Sequence, residues 1–389
     1  MQKKHLLLLF IIMFLMMLGF GIIIPILPYF AKGIGATPIE ISILFASYNI
    51  MQFIFSPIWG ALSDRVGRKP LILFGLLGFS VTFVLFGLST TYTEMLFYRI
   101  VAGIVSAAAI PTVSAMVADW FPAEERAKGM GIIGAGVGLS FVFGPAIGGI
   151  LSQYHFSYPF FASGLLAFLT FLTVIVVLPE SLPREKRANA VREKRRNPLE
   201  ALTGPLSLMY NILFFVSLFF AGFEAVFALY IADLYGLTSK DLGYMFLVMG
   251  IIAAIIQGGM IGRLVKTFGE PAILALGLLL YVIGFSAVSF GYNFWSFAIV
   301  LSFFGAGQGM IRATSTAMIT QRTSLGQGVT SGMMSSMDSL GRIVGPLVAG
   351  FLYEIQPTWP FVLGAICIAL LLAIFEIRKK SLPSIHSQV

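Results

Sequence analysis

FGPAIGGILSQYHFSYPF, residues 143–160, returns as VGPLVAGFLYEIQPTWPF at 344–361. At a constant offset of 201 residues, Gly144 falls on Gly345, Pro145 on Pro346, Gly149 on Gly350, Leu151 on Leu352, Pro159 on Pro360 and Phe160 on Phe361. Each copy leaves an apolar run, passes a short polar turn and enters another. The surroundings say what such runs are: 58% of the 389 residues are hydrophobic and 11% are charged, against about 25% charged in soluble domains. A spanning helix needs about 20 mostly apolar residues. Twelve such runs are expected, near 6–29, 40–62, 70–90, 94–118, 127–152, 157–178, 207–232, 240–262, 271–291, 294–320, 326–352 and 358–377. The repeat equates span five with span eleven, so the fold class is an all-α membrane protein of two pseudo-symmetric six-helix bundles.

The segment 179–206, rich in Arg and Lys, divides the spans six and six, giving bundles at 1–178 and 207–389 joined by a basic linker. Lys and Arg gather on the cytoplasmic side of membrane proteins. Placing both termini in the cytoplasm puts 20 of the 25 basic residues there, and only Lys32 and Lys240 outside. The expected location is therefore a multi-pass cytoplasmic membrane protein with an uncleaved first helix. This sidedness accounts for the net charge of +8 without a nucleic-acid partner. A lone Cys367 permits no internal disulfide, and no His or Cys cluster suggests a metal. Absence of G-x-x-x-x-G-K-[ST] argues against ATP-driven transport by this chain. A membrane enzyme is not expected, nor any cofactor beyond a coupling proton, and the chain is expected to act as a monomer. Parallel repeats in even-span proteins place substrate between the halves near the midplane.

Three motifs narrow the reading. GALSDRVGRKP (60–70) joins spans two and three with the spacing G-x-x-x-D-R-x-G-R-K: Gly60, Asp64, Arg65, Gly67, Arg68 and Lys69. Gly60 would allow close helix approach, and Asp64 could accept from helix N-termini or an Arg. In span four, Arg99, Gly103 and Ser106 share one helical face; Arg99 either snorkels outward or takes part in function. Span five carries Gly134, Gly138, Gly144, Gly148 and Gly149 around Pro145, a composition that lets backbones touch and invites a kink. The first string resembles the signature of the major facilitator superfamily. The span-five pattern G-x-x-x-G-x-x-x-x-x-G-P-x-x-G-G is similar to the antiporter motif of its twelve-span drug:proton exchangers. The resemblance extends over essentially the whole chain. It implies a charged lock near the cytoplasmic surface, proton transfer involving Arg99, and a drug cavity lined at Gln52 and Phe141.

Two acids lie deepest in the spans, Glu224 and Asp338. A carboxylate at the bilayer centre is costly and is a functional-site hypothesis by default. Glu224 shares a face with Phe220 and Phe227, with Phe223 adjacent, which suggests an aromatic-walled cavity for lipophilic cations. A carboxyl removed from water disfavours its ionised form, and a group that charges on one side and discharges on the other is what proton coupling requires. The resemblance implies a second acid just before Met310-Ile311-Arg312, but Gly309 stands there, with Gln308 before it. Asp338 is expected to take part of that role, with Arg312 and Arg342 competing for the carboxylates; Asp338 and Arg342, four residues apart, could equally be self-neutralising glue. The expected activity is proton-coupled export of lipophilic, often cationic, drugs. Export of a sugar, amino acid or endogenous lipid is the alternative, although polar candidates such as Asn49, Gln52 and Gln308 are scattered. A non-transporting membrane sensor or scaffold is the rival from another class.

Overall fold

The computed structural model describes residues 2–121, 123–182, 206–323 and 327–379. Among them every regular element is a helix. The chain divides into two compact units, Met1–Glu193 with Thr238–Leu247, and Lys194–Leu237 with Val248–Val389. In the first, the helices are α1 (Gln2–Ile23), α2 (Leu27–Gly33), α3 (Pro38–Val66), α4 (Arg68–Gly87), α5 (Tyr92–Ser106), α6 (Ala109–Trp120), α7 (Ala123–Ser152) and α8 (Tyr158–Val177). Then follow α9 (Ser207–Tyr235), α10 (Ser239–Ile255) with a π turn at Ile256–Met260, α11 (Ile261–Phe268), α12 (Glu270–Val288), α13 (Phe294–Arg322), α14 (Gln327–Ile355) and α15 (Trp359–Arg378). Most of the expected linker, residues 183–205, lies outside the described residues.

Eleven candidate spans among the described residues are long and apolar enough to cross a bilayer. The twelfth expected span is α14, long enough at 29 residues but more polar, because it carries Asp338, Arg342 and a run of serines. Local chemistry sets the boundaries. Thr37 with Glu40, Thr91 with Glu94 and Asn293 with Ser296 form reciprocal caps that start α3, α5 and α13. Span one is shorter than expected: it ends at Ile23, and Pro25 and Pro28 belong to a turn and the start of α2. Span four breaks at Ala107–Ala108, because Pro111 lacks an N–H and its ring crowds the carbonyl four residues earlier. Gly236, at φ 64°, closes α9 with its own N–H on Ala232 O and that of Leu237 on Ile231 O.

The two units pack alike. In the first, α1 lies along α7 and α4 along α8; in the second, α9 lies along α14 and α12 along α15. The same glycines make both first-to-fifth contacts. A Cβ on Gly144 would sit 2.7 Å from the backbone of Gly21, and one on Gly222 would sit 2.8 Å from the carbonyl of Gly345. Gly21 and Gly222 are themselves 201 residues apart, as are Gly144 and Gly345. Gly148 meets Ile22 in the first unit and Gly345 meets Leu218 in the second at distances no side chain could share. In contrast, a Cβ on Gly60, Gly134 or Gly138 meets nothing within 4 Å, so the close approach expected at these three is not found.

Gly144→Ala and Gly345→Ala should each lower the unfolding temperature of the purified protein, at a cost of about 1–3 kcal/mol for forced overpacking. Gly134→Ala should leave it unchanged or raise it, since alanine favours helix by up to about 1 kcal/mol. Equal effects at all three positions would contradict this packing.

Candidate functional site

Glu224, Asp338 and Arg342 meet across the facing helices α9 and α14, while Arg312 lies on α13. Gly341 packs on Phe214, Ser217 and Leu218, and Gly345 on Leu218 and Gly222, so the side chains between these glycines face across a short gap. There Arg342 Nη1 lies 3.6 Å from Glu224 Oε2, and Arg342 Nε donates to Asp338 Oδ2 at 3.4 Å. Asp338 Oδ1 accepts from Ser217 Oγ at 2.5 Å. One guanidinium therefore spans two carboxylates. The carboxylates are held unequally: Asp338 is fixed by a hydroxyl and a hydrogen-bonded guanidinium, whereas Glu224 has only a long ion pair. Glu224 is also the drier, its side chain 9% exposed against 36% for Asp338. Asp338 is thus the more firmly held of the two. Arg312 is exposed and forms no ion pair among the described residues. Ser217 was not anticipated from sequence; a lone serine in an apolar helix gives no sign of what faces it.

Phe220, Phe223 and Phe227 are 4%, 1% and 1% exposed. Their rings form the core of this unit; Phe223 also borders a small pocket with Gly222, Phe285 and Gly345, so the aromatic face expected around Glu224 is mostly packed rather than open. Phe223 stacks on Phe227 with centroids 4.4 Å apart and packs on Phe304, Phe285 and Phe361. The rings that bury them come from α12, α13 and α15, which the periodicity of one helix cannot reveal. Gln308 is half-buried on α13.

The first unit gathers a second polar group. Arg99 does not snorkel; it is 3% exposed, its Nε donates to the carbonyl of Leu44 at 3.2 Å, and its guanidinium lies 4.6 Å from the centre of the Tyr48 ring. Tyr48 Oη and Ser106 Oγ share a hydrogen bond of 2.9 Å, and Gln52 Nε2 donates to both oxygens, at 3.0 and 3.3 Å. Gln52 thus bridges α3 to α5. Asn49 turns back to its own helix, donating to Phe45 O. Phe141 meets Phe20 edge-on at 6.5 Å, and Phe20 stacks on Tyr48.

The loop of GALSDRVGRKP is a charged knot. Arg68 Nη1 pairs with Asp64 at 2.6 Å and donates to Ser63 Oγ, while its Nε pairs with Asp119 of α6 at 3.1 Å. Gly67, at φ 116°, makes the turn that a side chain would strain. Glu180, just beyond α8, accepts from the backbone N–H groups of Arg68 and Lys69 and so caps the start of α4. Lys69 Nζ reaches Ile175 O, and Arg65 is exposed. Pro145, Gly148 and Gly149 are buried on α7, with Gly149 against Ser239, Lys240 and Gly243.

The family model described as Major Facilitator Superfamily matches residues 9–270 and again 258–385. The chain belongs to the major facilitator superfamily. It is 32% identical over 365 residues to Multidrug resistance protein 2 of Bacillus subtilis (strain 168), covering 92% of this chain and 91% of that protein. It is 29% identical over 356 residues to Quinolone resistance protein NorA of Staphylococcus aureus (strain MSSA476), covering 91% of both. Among solved structures, the human organic anion transporter MFSD10 (TETRAN) shares the fold at TM-score 0.69 and 24% identity, over 96% of this chain and 99% of that one. A bacterial homologue of the human lysosomal transporter Spinster does so at 0.76 and 15%, over 98% and 97%. This major facilitator protein is a multi-pass membrane transporter and not an enzyme.

Arg342→Gln should leave the two carboxylates facing each other without their cation. Its destabilisation should be partly relieved by Glu224→Gln in the same chain, with a coupling on the order of 1 kcal/mol. Thermal unfolding of the two single variants and the double variant measures this, and strictly additive losses would rule out the bridge.

Proposed function

We propose that this transporter exports lipophilic, often cationic, drugs across the cytoplasmic membrane in exchange for protons, acting as a monomer with both termini in the cytoplasm. The observation that carries the reading is Arg342 set between a fixed carboxylate, Asp338, and a loosely held one, Glu224. With both acids ionised, these three groups carry a net single negative charge. A proton on Glu224 removes that charge, and so does a monovalent cationic substrate beside it. In a low-dielectric setting, where uncompensated charge is costly, the two become alternatives. That mutual exclusion is the requirement for exchange.

Asp338 has a distinct part. When Glu224 takes a proton or a substrate cation, Arg342 loses one partner but keeps Asp338, which Ser217 holds in place. The guanidinium therefore is never left alone in the membrane, and its retreat from Glu224 costs little. Relatives named as multidrug and quinolone resistance proteins support drugs as the substrate class. The Arg68 knot and the buried Pro145–Gly149 segment fit the proposed alternating access, in which lock and kink are remade during the cycle.

In inverted vesicles energised by respiration, the wild type should accumulate a lipophilic cationic dye and collapse of the pH gradient should release it. Glu224→Gln should abolish gradient-dependent accumulation, and Asp338→Asn should weaken it. Dye movement equal in wild type and Glu224→Gln would refute the coupling role.

A further inference from the structure

Three arginines lie within expected spans, and they are satisfied differently. Arg342 is paired with two carboxylates, and Arg312 is exposed. Arg99 is buried and, among the described residues, pairs with no acid. Its Nε donates to one backbone carbonyl, and its buried Nη1 has no hydrogen-bond partner among the described residues. The groups packed around it are the rings of Phe45 and Tyr48, whose centres lie 6.0 and 4.6 Å from the guanidinium carbon. Stacking on an aromatic ring compensates only a fraction of a buried charge. An arginine cannot shed its proton to escape that cost, so it cannot itself be the proton carrier either. Nor can it swing away easily: one turn on, Gly103 brings α5 so close to α3 that a Cβ there would lie 2.7 Å from the Tyr48 carbonyl.

A fixed, desolvated cation with an unused donor calls for an anion from outside the chain. We propose that Arg99, through its unpartnered Nη1, binds the carboxylate of zwitterionic or anionic amphiphiles that the transporter carries. The surroundings suit that ligand class. Guanidinium groups recognise carboxylates through directional hydrogen bonds. The Tyr48, Ser106 and Gln52 cluster supplies polar neighbours along the next two turns of α5, and Phe20, Phe45 and Tyr48 supply apolar faces for the rest of the molecule. This inference rests on the export reading for its substrates, but not for its test.

The test compares a rhodamine free acid with the methyl ester of the same dye, binding to the purified full chain in nanodiscs by fluorescence polarisation. In Arg99→Gln the affinity ratio of acid to ester should fall about tenfold, the value of one hydrogen bond to a charged group, whatever loss the two dyes share. Arg99→Lys, which keeps the charge without the fork, should restore part of that ratio. An unchanged ratio in Arg99→Gln overturns the proposal, as does a wild type that fails to bind the acid. A second measurement needs no variant: on the wild type, decanoate should displace the bound acid and decanol should not, and equal displacement by both also overturns it. If vesicles export neither dye while the binding ratio still depends on Arg99, the export reading fails and the carboxylate site stands.

Discussion

Backbone-to-backbone contact between the first and fifth helices of each unit is the constraint on which the rest depends. A side chain at Gly144 or Gly345 would enter the main chain of the neighbouring helix, so these positions fix both the distance and the rotation of the pair. In lipid, where apolar side chains gain nothing by leaving water, such small-residue packing is a main source of helix association. In the second unit the rotation also decides chemistry. With Gly341, Gly345 and Ala349 turned toward α9, Arg342 is brought to Glu224 and Asp338 to Ser217. The site is a by-product of how the two helices must pack.

The same frame carries different chemistry in the two units. At the offset of 201 residues, Glu224 corresponds to Ile23, Arg342 to Phe141, Asp338 to Val137 and Ser217 to Met16. Two glycines that set the contact, Gly21/Gly222 and Gly144/Gly345, were kept in both copies, while the polar groups beside them were not. The first unit holds its charge elsewhere, on α5 at Arg99, and gives it aromatic rings and hydroxyls as company rather than acids. A pair of duplicated scaffolds has thus become an acidic site and a basic one.

Much of this was legible in the sequence. Composition and the repeat at 143–160 and 344–361 pointed to the helices and to the likeness between the first-to-fifth contacts of the two units. Glu224, Asp338 and Arg342 stood out because a charge in an apolar run is costly. What could not be read was which groups meet across helices. The pairing of Arg342 with Glu224 and the seat of Ser217 depend on helix rotation, and the burial of Phe223 and Phe227 depends on rings from three other helices. One missed signal was present: Gly21 and Gly222 obey the same offset as the quoted repeat. Glycine density alone overstated contact in α7, where Gly134 and Gly138 meet open space and Gly144 and Gly148 meet α1.

The central claim is that proton and substrate cation are alternatives at Glu224, with Arg342 held back by Asp338. Proton release on substrate binding measures this directly, by titrating a lipophilic monovalent cation into weakly buffered, detergent-purified protein containing a pH indicator. The account predicts that the wild type releases protons as the cation binds, and that Glu224→Gln binds it without release. Equal release from both proteins, or binding by the wild type with no release at any pH, would contradict it.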